Sequence, residues 1–166
     1  MTAPLDAEAV DLRMYDAGDF DWLVDLHHAH YRASDGFDDT FAALVASILK
    51  DFEANHDPTR ERGWVAEHDG RPLGSIFCVR LTQDTAKLRL FLLEAQARGL
   101  GLGRRLLMQC MDFARSVGYK RMQLWTHESH AAACALYARS GWTCTSTKPV
   151  HSFGVDLVEQ AWEVTL

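Results

Sequence analysis

The sequence lacks long apolar runs, closely spaced cysteine pairs and an apolar leader. Nothing in its 166 residues approaches the roughly 18 consecutive apolar residues that a membrane-spanning helix needs. Met1–Val10 carries two acidic residues and has no basic segment followed by an apolar one, so we expect no secretory signal. The cysteines have apolar neighbours and form no Cys-x-x-Cys pair, which favours cytoplasmic thiols over disulfides or a metal site. They are Cys78, Cys110, Cys134 and Cys144.

Basic side chains are also scarce. The chain has 17 Lys and Arg against 23 Asp and Glu, a net charge of −6, and residues 1–60 alone carry thirteen acidic and four basic side chains. Only residues 97–121 are basic, with six Lys and Arg against Asp112. Nucleic-acid binders normally present a basic surface that extends over several elements. A short basic segment in an acidic protein is instead typical of the capture of a small anion, so we expect neither a nucleic-acid nor a membrane partner.

Apolar residues make up 48% of the chain, enough for a buried core, and the length fits one domain over residues 1–166. Apolar periodicity and turn signals predict an α/β domain. The predicted order is a strand at 10–15, a helix at 19–33, a helix capped by Asp38 or Asp39 that ends near 54, strands at 63–68, 72–81 and 87–93, a helix at 101–117, a strand at 121–126, a helix at 129–140, and strands at 142–148 and 157–166. Asp69-Gly70 is a strong hairpin signal between two of the strands.

The most informative segment leads from a strand through a glycine-rich loop into an amphipathic helix. Alternate glycines leave backbone N–H groups unshielded, and the start of the helix adds partial positive charge at the same place. Neighbouring arginines add full charges, so the segment predicts a diphosphate site. Its spacing fits neither Gly-x-Gly-x-x-Gly nor the Gly-Lys-Ser/Thr end of a P-loop. The glycines are Gly99, Gly101 and Gly103, and the arginines are Arg98, Arg104 and Arg105.

The loop matches Arg-x-x-Gly-x-Gly and resembles the pyrophosphate loop of the GNAT superfamily of N-acetyltransferases. A second segment, Trp125–Trp142, is similar to the superfamily's strand and following helix, which ends in Leu-Tyr-x-x-x-Gly-aromatic. The tail His151–Trp162 and the acidic first helices are more specifically similar to the acetyltransferase half of bacterial proteins that fuse a MarR-type DNA-binding domain to this fold. No winged-helix segment precedes it in this sequence, so the resemblance implies acyl transfer and no DNA binding.

The resemblance implies a GNAT fold of the α/β class: a mixed, mostly antiparallel sheet of six to seven strands with one splayed parallel pair, and about four helices. Acetyl-CoA would lie in the splayed gap, with its diphosphate on the loop and its pantetheine arm on the backbone of the preceding strand. His130 stands where the superfamily usually has an asparagine that touches the cofactor. The implied cofactor-binding residues are Leu92, Leu93, Arg98, Gly99, Leu100, Gly101, Leu102, Gly103, Arg104, His130 and Tyr137.

Tyr137 matches the superfamily tyrosine that returns a proton to the departing thiolate. Because a phenol of pKa about 10 is a weaker acid than a thiol of pKa about 8.5, we expect it mainly to hydrogen-bond the thiolate. Members with a glutamate base place it early in the strand before the loop, where this chain has Lys87 and Arg89. Glu128 is therefore the first candidate for the base that deprotonates the amine. Behind it stand Glu94, His127 and His151, with a water chain as the alternative.

The implied acceptor is a primary amine of a small molecule or amino acid, which attacks the thioester directly in a ternary complex. His28, Tyr31 and Arg32 are candidate acceptor contacts, and their acidic setting favours a cationic acceptor. Three alternatives stay open: a different acyl donor, a peptide or protein amine as acceptor, and a CoA-binding sensor or catalytically silent domain. No metal site is expected, and the superfamily favours a homodimer.

Overall fold

The computed structural model describes residues 5–166. Residues 1–4 belong to Met1–Val10, the segment in which no secretory signal is expected, and lie outside the described residues. Strands and helices alternate as the α/β prediction requires. They are β1 Asp11–Met14, α1 Phe20–Asp35, α2 Asp39–Asn55, β2 Arg62–His68, β3 Arg71–Arg80, β4 Thr85–Leu93, α3 Leu102–Ser116, β5 Arg121–His127, α4 Ala131–Arg139, β6 Thr143–Ser152 and β7 Val155–Thr165. Across the described part, we find no helix whose length and hydropathy suit a bilayer crossing.

The strands form one seven-stranded sheet in the order β1-β2-β3-β4-β5-β7-β6. Neighbouring strands are antiparallel except for β4 and β5, which are parallel. The parallel register covers only Thr85–Lys87 of β4 and Arg121–Gln123 of β5, and both strands continue beyond it without pairing to each other. The two strands therefore diverge. This arrangement, with its four α-helices, confirms the predicted fold class.

Local signals fix the ends of the first two helices. Gly36 ends α1 with a φ of +74°, which glycine adopts without steric cost, and its N–H donates to the carbonyls of Arg32 and Tyr31. Asp38 begins α2 by accepting the N–H of Thr40 at 3.0 Å. The observed bounds differ from the predicted ones by at most two residues, except that β6 runs four residues further. It does so because its hairpin with β7 extends the pairing to Ser152.

Two apolar layers cover the two faces of the sheet. The layer under α3 contains the fully buried Leu106 and Cys110. The layer under α1 and α2 contains Leu23 and Phe77. Val117 directly follows the end of α3 and is half-buried. The sheet is thus held between helices on both faces.

The cysteines are unbridged thiols. Cys78 and Cys110 are fully buried, while Cys134 and Cys144 are partly accessible. Burial raises the pKa of the Cys110 thiol well above its ordinary value. A buried, protonated thiol is a poor nucleophile, so Cys110 acts as a packing residue.

A β-bulge interrupts β4 halfway along its length. Between Arg89 and Leu92, β4 contains one more residue than the segment of β3 that pairs with it. This extra residue forms a bulge at Leu90. Leu90 has a φ of +50°, a left-handed conformation that is strained for any residue with a Cβ. The bulge shifts the alternation of side chains. Lys87 and Arg89 face α1 and α2 before it, and Leu92 joins Tyr31 of α1 after it.

Candidate active site

The divergence of β4 and β5 opens a cavity of about 300 Å³. The two strands form its floor, α1 and α2 cover one side, α4 another, and the β6–β7 hairpin closes the edge. Apolar and aromatic side chains make up half of the lining, and polar groups converge on it, as in binding sites for small molecules. The polar lining residues are His27, Tyr31, Lys87, Arg89, Thr126, His127, His130, Tyr137, Ser152 and Glu159.

The glycine loop follows β4 directly and leads into α3. Gly99 and Gly101 have φ values of +78° and +79°, and Leu100 is exposed between them. Positive φ favours glycine, since any Cβ would strain the backbone there. Gly101 is the residue that precedes α3, and no side chain caps this helix. The first N–H groups of α3, starting at Leu102, are therefore open to an anion, the arrangement that binds phosphate at helix N-termini.

Gly103 lies in the first turn of α3, where the fold itself does not require glycine. A Cβ added there would lie 3.6 Å from Leu136 and Leu93 and 3.7 Å from Phe91, which is ordinary contact. Glycine inside a helix costs about 1 kcal/mol relative to alanine. Packing does not require glycine here and helix propensity disfavours it, while its lack of a side chain leaves the backbone open to close approach.

The three arginines of the loop have different partners. Arg98 donates from Nε and Nη2 to the Leu93 carbonyl at 3.2 and 3.0 Å, and its Nη2 lies 3.2 Å from Nδ1 of His30. Arg105 donates to two carbonyls of the N-terminal segment at 2.9 and 3.0 Å. Arg104 is exposed and makes no hydrogen bond or ion pair with any residue of 5–166. Arg104 is thus the cation best able to meet a phosphate, whereas backbone carbonyls hold the Arg105 guanidinium, which keeps its charge beside the loop.

Leu92 and Leu93 end β4 at the widest part of the gap. They pair with Ser75 and Gly74 of β3 on one side. On the other side β5 has already diverged, so the β4 backbone faces the gap instead of a strand. Backbone N–H and C=O groups left in this position are suited to hydrogen-bond an extended ligand, as an added strand would.

Tyr137 lies on α4 and lines the cavity. Its ring centroid lies 6.2 Å from that of Phe91, 5.6 Å from Trp142 and 6.0 Å from Trp162. The side chain is buried, yet its hydroxyl makes no hydrogen bond to another described residue. Burial raises the pKa of Tyr137 well above its ordinary value of 10.0. The phenol is therefore a neutral hydrogen-bond donor without a protein acceptor.

His130 precedes α4 and lines the same cavity. The hydroxyl of Tyr31 lies within hydrogen-bond distance of its ring, which joins α1 to the start of α4. Burial, assisted by the nearby His30, lowers the pKa of His130 to about 4, so its ring is neutral at neutral pH. A neutral imidazole keeps both a donor and an acceptor, which preserves the capacity of an asparagine at this position to bond a ligand.

The residues predicted as candidate bases lie in different places. Glu128 is exposed and lies outside the lining of the cavity. Glu94 accepts a hydrogen bond from an arginine of β3 at 3.0 Å, and the exposed His151 pairs with an aspartate of β7 at 2.8 Å. Of these four residues, His127 lines the cavity. Its Nδ1 is buried without a partner in the described structure, and burial lowers its pKa.

Glu159 is the cavity-lining carboxylate that the sequence interpretation missed. It lies on β7 directly opposite His127 of β5. β5 and β7 pair although α4 and β6 separate them in the sequence. No local sequence signal therefore indicates that Glu159 lies beside His127. Only the period-2 alternation of β7 could have indicated which of its faces is buried.

One side of the cavity is formed by α1 and α2. Tyr31 lines it as expected, whereas His28 and Arg32 lie outside the lining, each 3.7 Å from Asp39. None of the acidic residues of the segments 20–35 and 39–55 belongs to the lining. The expectation that these acidic helices form an anionic wall for a cationic acceptor is wrong, because they turn neutral side chains to the cavity. Those are His27, Tyr31, Phe41, Leu44, Val45 and Ile48.

The family comparison agrees with this geometry. The acetyltransferase (GNAT) family matches residues 20–142, and the chain belongs to this family. The family predicted from the sequence is thereby confirmed, and with it acetyl-CoA as the cosubstrate that membership implies. The uncharacterized N-acetyltransferase YjgM of Escherichia coli is 33% identical over 81 residues. That match covers 47% of this chain and 48% of YjgM, about half of each protein.

Solved structures share the fold over nearly the whole chain. A GNAT-family acetyltransferase from Staphylococcus aureus is 16% identical with a TM-score of 0.79, over 95% of this chain and 99% of that one. An acetyltransferase from Streptococcus agalactiae is 22% identical with a TM-score of 0.74, over 96% and 99%. The structure of YncA, a putative acetyltransferase from Salmonella typhimurium with its cofactor acetyl-CoA, is 20% identical with a TM-score of 0.72, over 95% and 94%.

Proposed function

We propose that the protein is an N-acetyltransferase, moving the acetyl group of acetyl-CoA to a primary amine of a small molecule or amino acid in a ternary complex. The proposal depends on one observation, namely that three features form a continuous site. They are the uncapped start of α3 after the glycine loop, the edge of β4 that has no partner strand, and the cavity beside that edge. Family membership supports the donor. The cavity, about 300 Å³, lies at the lower end of pocket sizes for small ligands, which supports a small acceptor.

The residues present fit coenzyme A. The open N–H groups at the start of α3 and the side chain of Arg104 would hold the diphosphate, and the loop residues 98–101 would keep the backbone accessible. The β4 backbone at Leu92 and Leu93 would hold the pantetheine arm, and His130 would add a hydrogen bond from α4. When bound, acetyl-CoA supplies an acetyl group activated as a thioester.

The acceptor must lose one proton before it reacts. We assign its removal to Glu159, whose carboxylate lines the cavity, in preference to the exposed Glu128. The neutral amine then forms the C–N bond with the thioester carbonyl carbon, the C–S bond breaks, and its electron pair leaves on sulfur. The second amine proton ends on that sulfur, so the products are the amide and the free thiol. Glu159→Gln should lower turnover strongly, and Glu128→Gln should lower it little.

Tyr137 is the group that we propose for stabilising the sulfur as it leaves. Its hydroxyl has no acceptor among residues 5–166, and its raised pKa keeps it protonated. A donor that bonds the sulfur more strongly as negative charge develops lowers the barrier selectively. Full transfer of the phenolic proton is the less favourable route, because the phenol is the weaker acid.

Two measurements test the proposed function. Calorimetry with coenzyme A tests donor binding, and release of free thiol over a panel of amines tests turnover. Arg104→Gln should weaken coenzyme A binding, while Arg115→Gln, an exposed arginine further along α3 that pairs with Asp112 at 2.9 Å, should not. Absence of coenzyme A binding would overturn the proposal.

The same assays separate the alternatives. A CoA-binding sensor would bind coenzyme A and release no thiol with any acceptor. A peptide or protein acetyltransferase would act on peptides and not on small amines. The small size of the cavity, about 300 Å³, supports a small acceptor over a peptide or protein.

Further proposals concern the whole protein. The tail at 151–162 supports similarity to the acetyltransferase half of MarR-fused proteins, and the unbridged cysteines support a cytoplasmic location. One domain over residues 1–166 is proposed from length and composition.

We also propose a homodimer. Because β6 forms an edge of the sheet with mostly exposed side chains, this strand could pair with a second copy of the chain. Sedimentation analysis tests that assembly.

A further inference from the structure

Two cations in the cavity have no counter-ion within 4 Å among residues 5–166. Lys87 and Arg89 line the cavity from β4, on the side that α1 and α2 cover. Neither side chain forms a hydrogen bond or an ion pair with any residue among 5–166, although both are about half-buried. Half-buried charges without partners are unusual, because burial costs a charged group more than it costs a neutral one.

The backbone of β4 sets the separation of the two charges. Lys87 and Arg89 are two residues apart on one strand, so their Cβ atoms lie on the same face about 7 Å apart. The Lys87 ammonium lies 4.6 Å from the ring centroid of Trp125, which orients it across the gap towards β5. The bulge at Leu90 follows immediately and ends this basic stretch of the cavity wall.

The surrounding charges do not neutralise the pair. Burial is the largest effect that lowers the pKa of Lys87, and repulsion from Arg89 lowers this pKa further. Attraction to Glu159 raises it. Burial also lowers the pKa of Arg89, opposed by Asp51, which lines a second cavity on the far side of Arg89. Burial lowers the pKa of His27 to about 4, so this residue adds no positive charge at neutral pH. Two cations and one carboxylate leave the cavity with net positive charge.

We propose that the acceptor is a primary amine that also carries a carboxylate, and that Lys87 and Arg89 bind this carboxylate while the amine lies towards Glu159. This inference rests on the proposed function and names its substrate class. The guanidinium of Arg89 presents donors in a planar fork that matches a carboxylate, and the Lys87 ammonium adds a second charge-assisted bond. An anion between the two cations relieves their repulsion, so binding stabilises the arrangement that is unfavourable in the free protein.

The amine end of such a molecule has a matching partner. Glu159 lies opposite His127 at the end of β5, across the gap from β4. Positive groups on one wall and a carboxylate on the other are the charge complement of an amino acid. Acetylation removes the positive charge of the amine and leaves the carboxylate, so the product carries one more negative charge than the substrate. Loss of the attraction to Glu159 then favours release of the product.

Matched acceptors test the proposal. The rate of thiol release is measured with leucine, methionine and phenylalanine and with the carboxamide of each. A carboxamide amine is the more easily deprotonated, so preference for the acid cannot come from amine basicity. We expect kcat/KM to be at least about tenfold higher for the acids, because a site built for a carboxylate leaves its cations unpaired when the amide binds. Equal or faster reaction of the carboxamides would overturn the proposal.

Variants identify the residues. Arg89→Gln and Lys87→Gln should raise KM for the acids much more than for the carboxamides, and leave coenzyme A affinity unchanged. Arg80→Gln is the control, since this arginine lines only the second cavity. Equal losses with acids and carboxamides would mean that the two cations have a structural role, and would overturn the assignment.

A binding measurement keeps the inference separate from the proposed function. N-acetyl-leucine and its carboxamide are titrated into the protein saturated with coenzyme A. We expect N-acetyl-leucine to bind more tightly, and Arg89→Gln to remove the difference. If no thiol is released with any acceptor, the proposed transfer fails, and this titration still decides whether the cavity selects a carboxylate. Binding of neither compound, or equal binding of both, would overturn the inference.

Discussion

The hydroxyl of Tyr31 lies 3.2 Å from Nδ1 and 3.3 Å from Nε2 of His130, two residues separated by 99 positions in the chain. Tyr31 belongs to α1, on the proposed acceptor side of the cavity, and His130 to the start of α4, on the proposed cofactor side. The Tyr31 ring stacks on Phe37 with centroids 5.3 Å apart, which fixes its orientation. One hydrogen bond therefore joins the two walls of the gap that β4 and β5 open.

Tyr31→Phe should separate the two walls. We expect a loss of about 1 kcal/mol in the free energy of unfolding, the usual net contribution of one hydrogen bond, and weaker coenzyme A binding because His130 loses its orientation. Denaturant titration of Tyr31→Phe, His130→Ala and the double variant measures the coupling between the two residues. Tyr15→Phe is the control, since its hydroxyl bonds the exposed Glu53. Additive effects of the two substitutions would contradict the link.

The sequence predicted the elements and the glycine loop because those signals are local. Gly36, Asp38 and the Asp69-Gly70 turn act within a few residues, and the loop at 98–104 carries its chemistry in its own backbone. The helix and strand bounds followed from the same kind of signal.

Features that depend on distant pairing were not predictable. The bulge at Leu90 arises from the register between β3 and β4, and the position of Glu159 beside His127 arises from the pairing of β5 with β7. The partners of Arg98 and Arg105 also come from other parts of the chain. Composition assigned an acidic character to α1 and α2, but composition does not say which side chains a helix turns towards a cavity.

Stability should fall in mild acid because two histidines are buried in neutral form. Burial lowers the pKa of His27 and of His130 from 6.5 to about 4. Between these pH values the unfolded chain binds protons that the folded chain does not. The stability that depends on the two neutral histidines is therefore fully present above pH 6.5 and is lost as the pH falls towards 4. Each histidine then contributes a loss of about 3 kcal/mol.

Denaturant titration across this pH range measures the effect. His130→Asn removes one titrating group and inserts the residue that the superfamily favours at this position, so the loss of stability with falling pH should become less steep. An unchanged slope in His130→Asn would show that other groups control acid sensitivity.

Gly103→Ala should change stability and ligand binding in opposite directions. The added Cβ makes ordinary contacts and improves the helix, so the free energy of unfolding should rise by up to about 1 kcal/mol. The same methyl group stands where the phosphate would approach the backbone, so the Kd for coenzyme A should rise about tenfold, equivalent to 1.4 kcal/mol.

Thermal unfolding and calorimetry on the same sample give both values for Gly103→Ala. Gln109→Ala, on an exposed position of α3, is the control that leaves coenzyme A binding unchanged. Unchanged affinity in Gly103→Ala would mean that this turn of the helix does not contact the phosphates.

Tyr137→Phe should separate turnover from binding. The hydroxyl has no protein acceptor, so its removal leaves no polar group unpaired, and the ring contacts with Phe91 and Trp142 persist. We expect thiol release to fall at least about tenfold, which corresponds to one lost hydrogen bond to developing charge, with little change in coenzyme A affinity.

Tyr119→Phe is the control for Tyr137→Phe. The Tyr119 hydroxyl donates to the Arg60 carbonyl at 3.0 Å, so stability should fall while turnover is retained. Because the raised pKa keeps Tyr137 protonated, its ionisation should produce no fall in rate below pH 10. Normal turnover in Tyr137→Phe would remove this hydroxyl from the mechanism and leave protonation of the sulfur to solvent.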